Sequence, residues 1–432
     1  MRDAPAGLSS GALGALLLAV LMVSVGYGVV LPILPLLVAQ MVTDPTPAAI
    51  ARHTGLLTAA YTLASLLLGP AWGHLSDRRG RRPIIVLGLL GFGVTLAASM
   101  AATSLTLAYA GRFLNGVFAA AVTPTALAAI AEQSINEAWR ARWFAAIGMA
   151  AIAGLLIGPM LGGLVYRWSV EEAALVGPFL VPAVLAFGAA AAVQRLVTQR
   201  PFAPRDTPDR VQPRAPATVP LRRLLVLAAA VAGAVGAFEV GLTLHGRALA
   251  MTPYEIGIMF AGCSLVMLMA QALVFAGLIR PAASRWLILP ALATTAAGLA
   301  LVPTASSPPA LLIAVAAVAA GAGVLTPLLS FWISFGASEA RGVQLGWQTA
   351  ATSLGQVAGS AGSGMLFGLA GLPEAPFLLA GAALVAATAA SIGLASSLAP
   401  LATSFIPAQH NVAKPEIAGA VRATFPDHEA PR

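Results

Sequence analysis

The chain has 432 residues, of which 59% are apolar and only 9% charged, with a mean hydropathy of +0.87. Soluble globular domains carry roughly 25% charged residues, so this composition excludes a water-soluble fold. The formal charge of +8, from 24 basic against 16 acidic residues, and a pI near 10.7 would suit nucleic acid. However, the basic residues cluster in short stretches between apolar runs, the placement that orients a protein in a bilayer, so no nucleic-acid partner is expected.

A bilayer core about 30 Å thick takes about 20 residues of helix, and the backbone there must satisfy its own hydrogen bonds. Apolar runs of that length predict twelve transmembrane helices, near 13–38, 54–72, 83–102, 106–130, 143–165, 175–197, 222–245, 255–278, 286–304, 309–333, 344–370 and 375–397. The fold class is therefore an all-α membrane protein. The first run exceeds the apolar core of a signal peptide and lacks a small-x-small cleavage site, so it is expected to stay as the first helix. Between the sixth and seventh runs, Pro201, Pro204, Pro208, Pro213, Pro216 and Pro220 alternate with Arg200, Arg205, Arg210 and Arg214. This predicts a polar linker over 199–221 that separates six helices in 1–198 from six in 222–397. The polar tail, 398–432, is expected to be disordered. With the N-terminus inside, only Arg52, Arg167 and Arg247 fall in outer loops and Arg112 within a helix, which predicts both termini on the cytoplasmic side. The lone cysteine, Cys263, lies in an apolar stretch and leaves no disulfide or thiol metal cluster within the chain.

The second and third runs are joined by Gly73-His-Leu75-Ser-Asp77-Arg78-Arg79-Gly80-Arg81-Arg82-Pro83, which predicts a tight cationic loop. Its glycines allow a sharp turn, Asp77 can face the positive N-terminal end of the eleventh helix near Gly342 to Gly346, and Arg81 can pair with Asp77 and Glu132. The fourth helix contains Arg112, in Gly111-Arg-Phe-Leu-Asn115-Gly116. A cation there costs about 2.5–3.5 kcal/mol on insertion scales, so it should face a partner or an aqueous cavity, or else snorkel to the outer interface. The fifth helix carries Gly154, Gly158, Pro159, Gly162 and Gly163, where small residues permit close helix approach and the proline predicts a kink. A similar spacing, Gly355, Gly359, Ser360, Ser363 and Gly364, returns in the eleventh helix and suggests two related halves. The 277–285 loop echoes the cationic loop, with Pro281 in place of the aspartate.

Glu239 of the seventh helix is the one carboxylate placed well inside a predicted span. An acid taken out of water there can accept a proton from one side and release it to the other. It can equally bind a cationic substrate, or pair with His245 or Arg247. Gln348, Thr352 and Gln356 recur at i+4 on one stripe of the eleventh helix, and Tyr27, Asn115, Trp332, Trp347 and Gln271 are further candidates for a mixed aromatic and polar pocket. No phosphate-cradling loop and no metal-ligand spacing stands out, so no cofactor, metal or enzymatic chemistry is expected, and an ion gradient is the expected fuel.

The Gly73 to Arg82 run resembles the loop between the second and third helices of major facilitator superfamily transporters, G-x-L-a-D-r-x-G-r-r/k, with Ser76 the differing position. The resemblance covers about residues 12–397. It implies two pseudo-symmetric six-helix bundles rocking about a central site, with Gly73, Asp77, Arg78, Gly80, Arg81, Arg82 and Glu132 forming a latch of the outward-open state. The string from Gly154 to Gly163 looks like the signature of the drug:proton antiporter branch. The setting of Arg112 is similar to an R-x-x-x-G pattern that the family links to proton coupling. The chain departs from many antiporters in its first helix, where Gly26-Tyr27-Gly-Val-Val-Leu-Pro32-Ile-Leu-Pro35 keeps a proline pair but has no carboxylate. The resemblance implies proton-coupled efflux of small apolar or amphipathic compounds, by a monomer in a bacterial plasma membrane. The alternatives are a dedicated exporter of an endogenous anionic metabolite such as a siderophore, with Arg112 as counter-ion, and a receptor or scaffold that transports nothing.

Overall fold

A computed structural model describes residues 8–133, 137–168, 177–198, 219–275, 281–335, 341–367 and 374–398. Among them the chain is helical throughout: α1 Ser10–Val30, α2 Leu34–Met41, α3 Pro47–Arg79, α4 Arg81–Ser99, α5 Leu105–Ala119, α6 Val122–Glu132, α7 Glu137–Trp168, α8 Gly177–Leu196, α9 Val219–Ala248, α10 Pro253–Phe275, α11 Pro281–Ser284, α12 Ile288–Leu301, α13 Pro308–Phe335, α14 Arg341–Phe367, α15 Ala375–Ala390 and α16 Leu394–Ser397. Nine helical stretches among the described residues are long and apolar enough to cross a bilayer, the α5–α6 pair acting as one of them. Arg285–Leu301 and Ala375–Ala389 are shorter apolar rods, and α14, 27 residues long, is too rich in amides and hydroxyls to count as apolar. Together they make the twelve predicted rods. The predicted linker lies outside the described residues up to 218, and α9 already begins at Val219, inside its expected limits. Residues 277–280 of the echo loop and 399–432 of the tail also lie outside the described residues.

Prolines explain where rods break. Each lacks an N–H and crowds the carbonyl four residues back. Pro32 and Pro35 end α1 at Val30, and Pro124 crowds Ala120 at the α5–α6 joint. Pro70, Pro159, Pro182 and Pro327 lie inside helices that continue through them. The predicted loop at 73–83 is a correction: α3 runs on to Arg79 and α4 starts at Arg81, so Gly80 alone makes the reversal, at φ +93°, a conformation that costs glycine little. Gly73 is helical. Arg78 and Arg79 close the last turn of α3, where the helix dipole favours cations.

Helix α1 packs against α7 and α8, α3 against α5 and α14, α9 against α14 and α15, and α10 against α7 and α13. The α1–α7 seam is backbone against backbone: a methyl group on Gly154 would lie 2.6 Å from the Leu21 carbonyl, and one on Gly158 2.6 Å from that of Val25. The α9–α14 seam repeats this, with Gly355 against the Ala229 carbonyl and Gly359 against that of Gly233. Ser360 and Ser363 of α14 add hydroxyl bonds to the carbonyls of Gly236 (3.4 Å) and Ala237 (3.0 Å).

The first eight helices meet the rest most tightly at one end, the end of the α2–α3 and α9–α10 turns. There a methyl on Gly55 would lie 2.7 Å from Gly364 Cα, one on Gly163 2.5 Å from Tyr254 Cα, and one on Gly257 2.5 Å from the Pro159 carbonyl. The Arg167 guanidinium sits 5.2 Å from the Tyr254 ring across the same α7–α10 contact. Toward the Gly80 end, Gly69 and Gly73 of α3, Gly148 of α7 and Gly346 of α14 all face open space. The molecule is therefore closed at one end and open at the other.

Candidate functional site

Two clusters of polar side chains stand out from the apolar helices, one across the middle of the molecule and one at the Gly80 end. In the first, Tyr27 lies in the last turn of α1 before the proline break, Tyr61 on α3, Arg112 on α5, Glu239 on α9 and Gln356 on α14. Glu239 is buried, and its Oε2 accepts hydrogen bonds from the Tyr27 hydroxyl at 2.7 Å and the Gln356 amide at 3.5 Å. The Tyr27 and Tyr61 rings are 4.8 Å apart, and the Arg112 guanidinium lies 5.7 Å from the first and 5.0 Å from the second. Tyr27 thus links both charges, its ring toward the cation and its hydroxyl on the carboxylate.

Arg112 is only 6% exposed, and all three of its guanidinium nitrogens are buried without a hydrogen-bond partner. It does not snorkel. Ring quadrupoles return about 2 kcal/mol to a desolvated cation, less than burial of an unpaired charge costs, so the field of an ionised Glu239 matters to it. Neither His245 nor Arg247 pairs with Glu239; the His245 Nε2 lies 3.3 Å from the Ala305 carbonyl instead.

The polar stripe expected on α14 divides between two neighbours. Gln356 reaches Glu239, while the Gln348 amide donates to Ser330 on α13 at 2.5 Å, and Thr352 bonds back to its own helix. Asn115 is taken up by α4, donating to the Phe92 carbonyl and the Thr95 hydroxyl. Trp332 is buried edge-on to Phe331, Trp347 is exposed, and Gln271 is buried in α10. Tyr61 was not singled out in the sequence; its signal was an aromatic hydroxyl in an otherwise apolar run.

In the second cluster Arg81 pairs with Asp77 at 2.5 Å and with Glu132 at 2.6 Å, and it donates to Ser76 Oγ at 2.5 Å. Ser76 is fully buried and itself donates to the Gly73 carbonyl. Arg82 donates to Gln194 on α8. The side chain of Asp77 is 59% exposed and, among the described residues, is held by Arg81 rather than by the start of α14, as expected of an end that is open. The position that departs from the family loop, Ser76, is a working part of the cluster. The motif of Gly154, Gly158, Gly162 and Gly163 does two jobs: the first three seat α7 on α1, and the last meets α10 across the closed end.

The Major Facilitator Superfamily matches residues 16–360. The chain belongs to this superfamily. As a member it is similar to tetracycline resistance protein, class B, of Escherichia coli, 31% identical over 162 residues, 38% of each chain. It is also similar to class C of the same organism, 37% identical over 177 residues, 41% of this chain and 42% of that one. The chain thus spans about two fifths of the length of these tetracycline resistance proteins. Multidrug resistance protein 2 of Bacillus subtilis (strain 168) aligns more widely, 26% identical over 82% of this chain and 88% of its own. In fold, this superfamily member is similar to the human organic anion transporter MFSD10, with a TM-score of 0.67 at 20% identity over 88% of this chain and 98% of that one. It is likewise similar to a bacterial homolog of the human lysosomal transporter Spinster in an inward-facing and occupied conformation, with a TM-score of 0.67 at 16% identity, covering 90% and 93%.

Proposed function

We propose that the protein is a proton-coupled exporter of small apolar or amphipathic compounds, working by alternating access, with Glu239 as the proton carrier. The observation that carries this reading is the Tyr27–Glu239 hydrogen bond, which joins α1 to α9 across the two halves. When Glu239 is ionised it is a strong acceptor for Tyr27 and Gln356 and offsets the charge on Arg112; when it is protonated both effects weaken. Proton uptake therefore loosens a contact between the halves, and a substrate that competes for the carboxylate does the same. A pH unit supplies about 1.4 kcal/mol and 100 mV about 2.3 kcal/mol per proton, enough for modest accumulation. The resistance proteins to which the chain is similar favour a drug-like substrate class.

Arg78, Arg79, Arg81 and Arg82 cluster at the Gly80 end, and the positive-inside rule supports reading that end and both termini as cytoplasmic and this conformation as inward-open. In the outward-open state Asp77 would turn from solvent to the start of α14, and the charge cluster would hold that end shut. One chain supplies both halves of the path, so a monomer suffices.

The test is a proteoliposome assay with an imposed pH gradient, comparing wild type with Glu239→Gln against lipophilic cations and siderophore-like anions. The glutamine keeps the size and one acceptor, so folding and substrate binding should remain while proton-driven transport falls at least 100-fold. Gradient-driven transport unchanged in the variant would remove Glu239 as the carrier. The unpaired Arg112 favours a second reading, a dedicated exporter of one anionic metabolite, and a response to a single anion alone would select it.

A further inference from the structure

Helices α4 and α8 pack together, each long and apolar enough to cross a bilayer, and the pair turns an apolar face outward. Leu87, Leu90 and Val94 of α4 and Leu180 and Val184 of α8 are exposed along it, Val94 and Val184 at 57% and 58%, so acyl chains rather than protein must cover it. At the Gly80 end this face finishes in two guanidiniums. Arg82 opens α4, and its Nε donates to Gln194 Oε1 on α8 at 3.2 Å, which holds the group between the helices and leaves Nη1 and Nη2 without partners among the described residues. Arg195, in the last turn of α8, is exposed and lies about three helical turns beyond Val184 on the same side of the rod. Neither α4 nor α8 contains an acid, and Asp77 and Glu132 at the same end are both held by Arg81. A phosphodiester accepts parallel N–H bonds from such a fork, and basic pockets between helix ends at the interface suit anionic head groups. A second copy of the chain does not suit. Two copies inserted the same way and meeting on this face about a two-fold axis would set Arg82 and Arg195 against the same cations. The outward pair of the second half, α12–α15, lacks the feature: α15 has no cation, and the Arg285 guanidinium sits 5.7 Å from the ring of the adjoining Trp286.

We propose that the α4–α8 face binds one anionic phospholipid, its phosphate on Arg82 and Arg195 and its acyl chains along Leu90, Val94 and Val184. The site lies on the outside of the first half, away from the interface between the halves. It does not depend on the transport reading, because binding alone tests it.

The experiment is native mass spectrometry of the purified full-length protein, released from detergent that carries equal amounts of dioleoyl phosphatidylglycerol and dioleoyl phosphatidylcholine. One phosphatidylglycerol retained per monomer is expected, favoured about tenfold or more over phosphatidylcholine. Arg195→Gln should lower that preference about fivefold. Gln194→Glu, which sets an anion beside Arg82, should do the same; both positions are exposed, so the unfolding transition should be kept. Arg222→Gln removes an equal charge from the start of α9 at the same end and should leave the preference unchanged. An excess of inorganic phosphate should not displace the lipid, because it lacks the tails. If Gln194→Glu fails to fold, the comparison of Arg195→Gln with Arg222→Gln still decides. Equal retention of the two lipids, an undiminished preference in Arg195→Gln, an equal loss in Arg222→Gln, displacement by phosphate, or a lipid-free dimer would each overturn the proposal.

Discussion

The α1–α7 and α9–α14 seams are built alike and used differently. Gly154, Gly158 and Gly162 meet the carbonyls of Leu21, Val25 and Val29, while Gly355, Gly359 and Ser363 meet those of Ala229, Gly233 and Ala237, with a constant offset from each α1 carbonyl to its α9 counterpart. The last small residue of each string, Gly163 or Gly364, leaves its own half and touches the other at the closed end. Carried one step further, the same offset sets Glu239 against Leu31, where α1 breaks at its proline pair. One half thus has a bend at the depth where the other has an acid inside an unbroken helix. The α1–α7 seam also has a single hydroxyl side chain, Ser24, against its glycines, whereas α14 brings Ser360, Ser363 and Gln356 to the seam beside that acid. Duplicated packing fixes position; the chemistry comes from what each copy adds to it.

Four substitutions probe this equivalence. Gly158→Val and Gly359→Val should each cost about 1–3 kcal/mol or more through overpacking, read as a lower unfolding temperature in detergent and poorer recovery of monodisperse protein. If one is silent while the other fails, the two seams are not equivalent. Tyr27→Phe removes the hydroxyl that ties the bent helix to the acid-bearing one. Hydrogen bonds to charged groups contribute about 1.5–3 kcal/mol, so proton-driven transport in liposomes should drop about tenfold or more, with folding retained. An unchanged rate would make the Tyr27–Glu239 bond incidental to coupling. Ser363→Ala should have the smallest effect, about 1 kcal/mol of stability from the lost bond to Ala237, visible in the same unfolding assay. No change there would mean that the hydroxyls of the second seam add nothing to the glycine packing.

Twelve rods, the glycine spacing and the charges near Gly80 could be read from the sequence because each is local: hydropathy over one helix, i+4 spacing, a short run between two spans. The α5–α6 joint was less legible, since Pro124 sits inside a long apolar run and other internal prolines, such as Pro70 and Pro159, leave their helices continuous. The charged loop was misjudged for a related reason. A single glycine at positive φ suffices to reverse the chain, so the residues before it, Gly73 included, can remain helical. Tyr61 and the bond between Tyr27 and Glu239 depend on residues far apart in the chain, for which no spacing rule exists. The i+4 stripe on α14 showed that Gln348 and Gln356 share a face, but not that Ser330 and Glu239 would take one each.

The polarity of α14 has a consequence for how the chain reaches its bilayer. A rod with Gln344, Gln348, Thr352, Gln356, Ser360 and Ser363 along its length gains little from partitioning into lipid alone, and Gln348, Gln356, Ser360 and Ser363 find their acceptors on α9 and α13. The eleventh span of this chain must therefore wait at the insertion machinery until earlier helices are in place to receive it, so the order of synthesis is itself a condition of assembly.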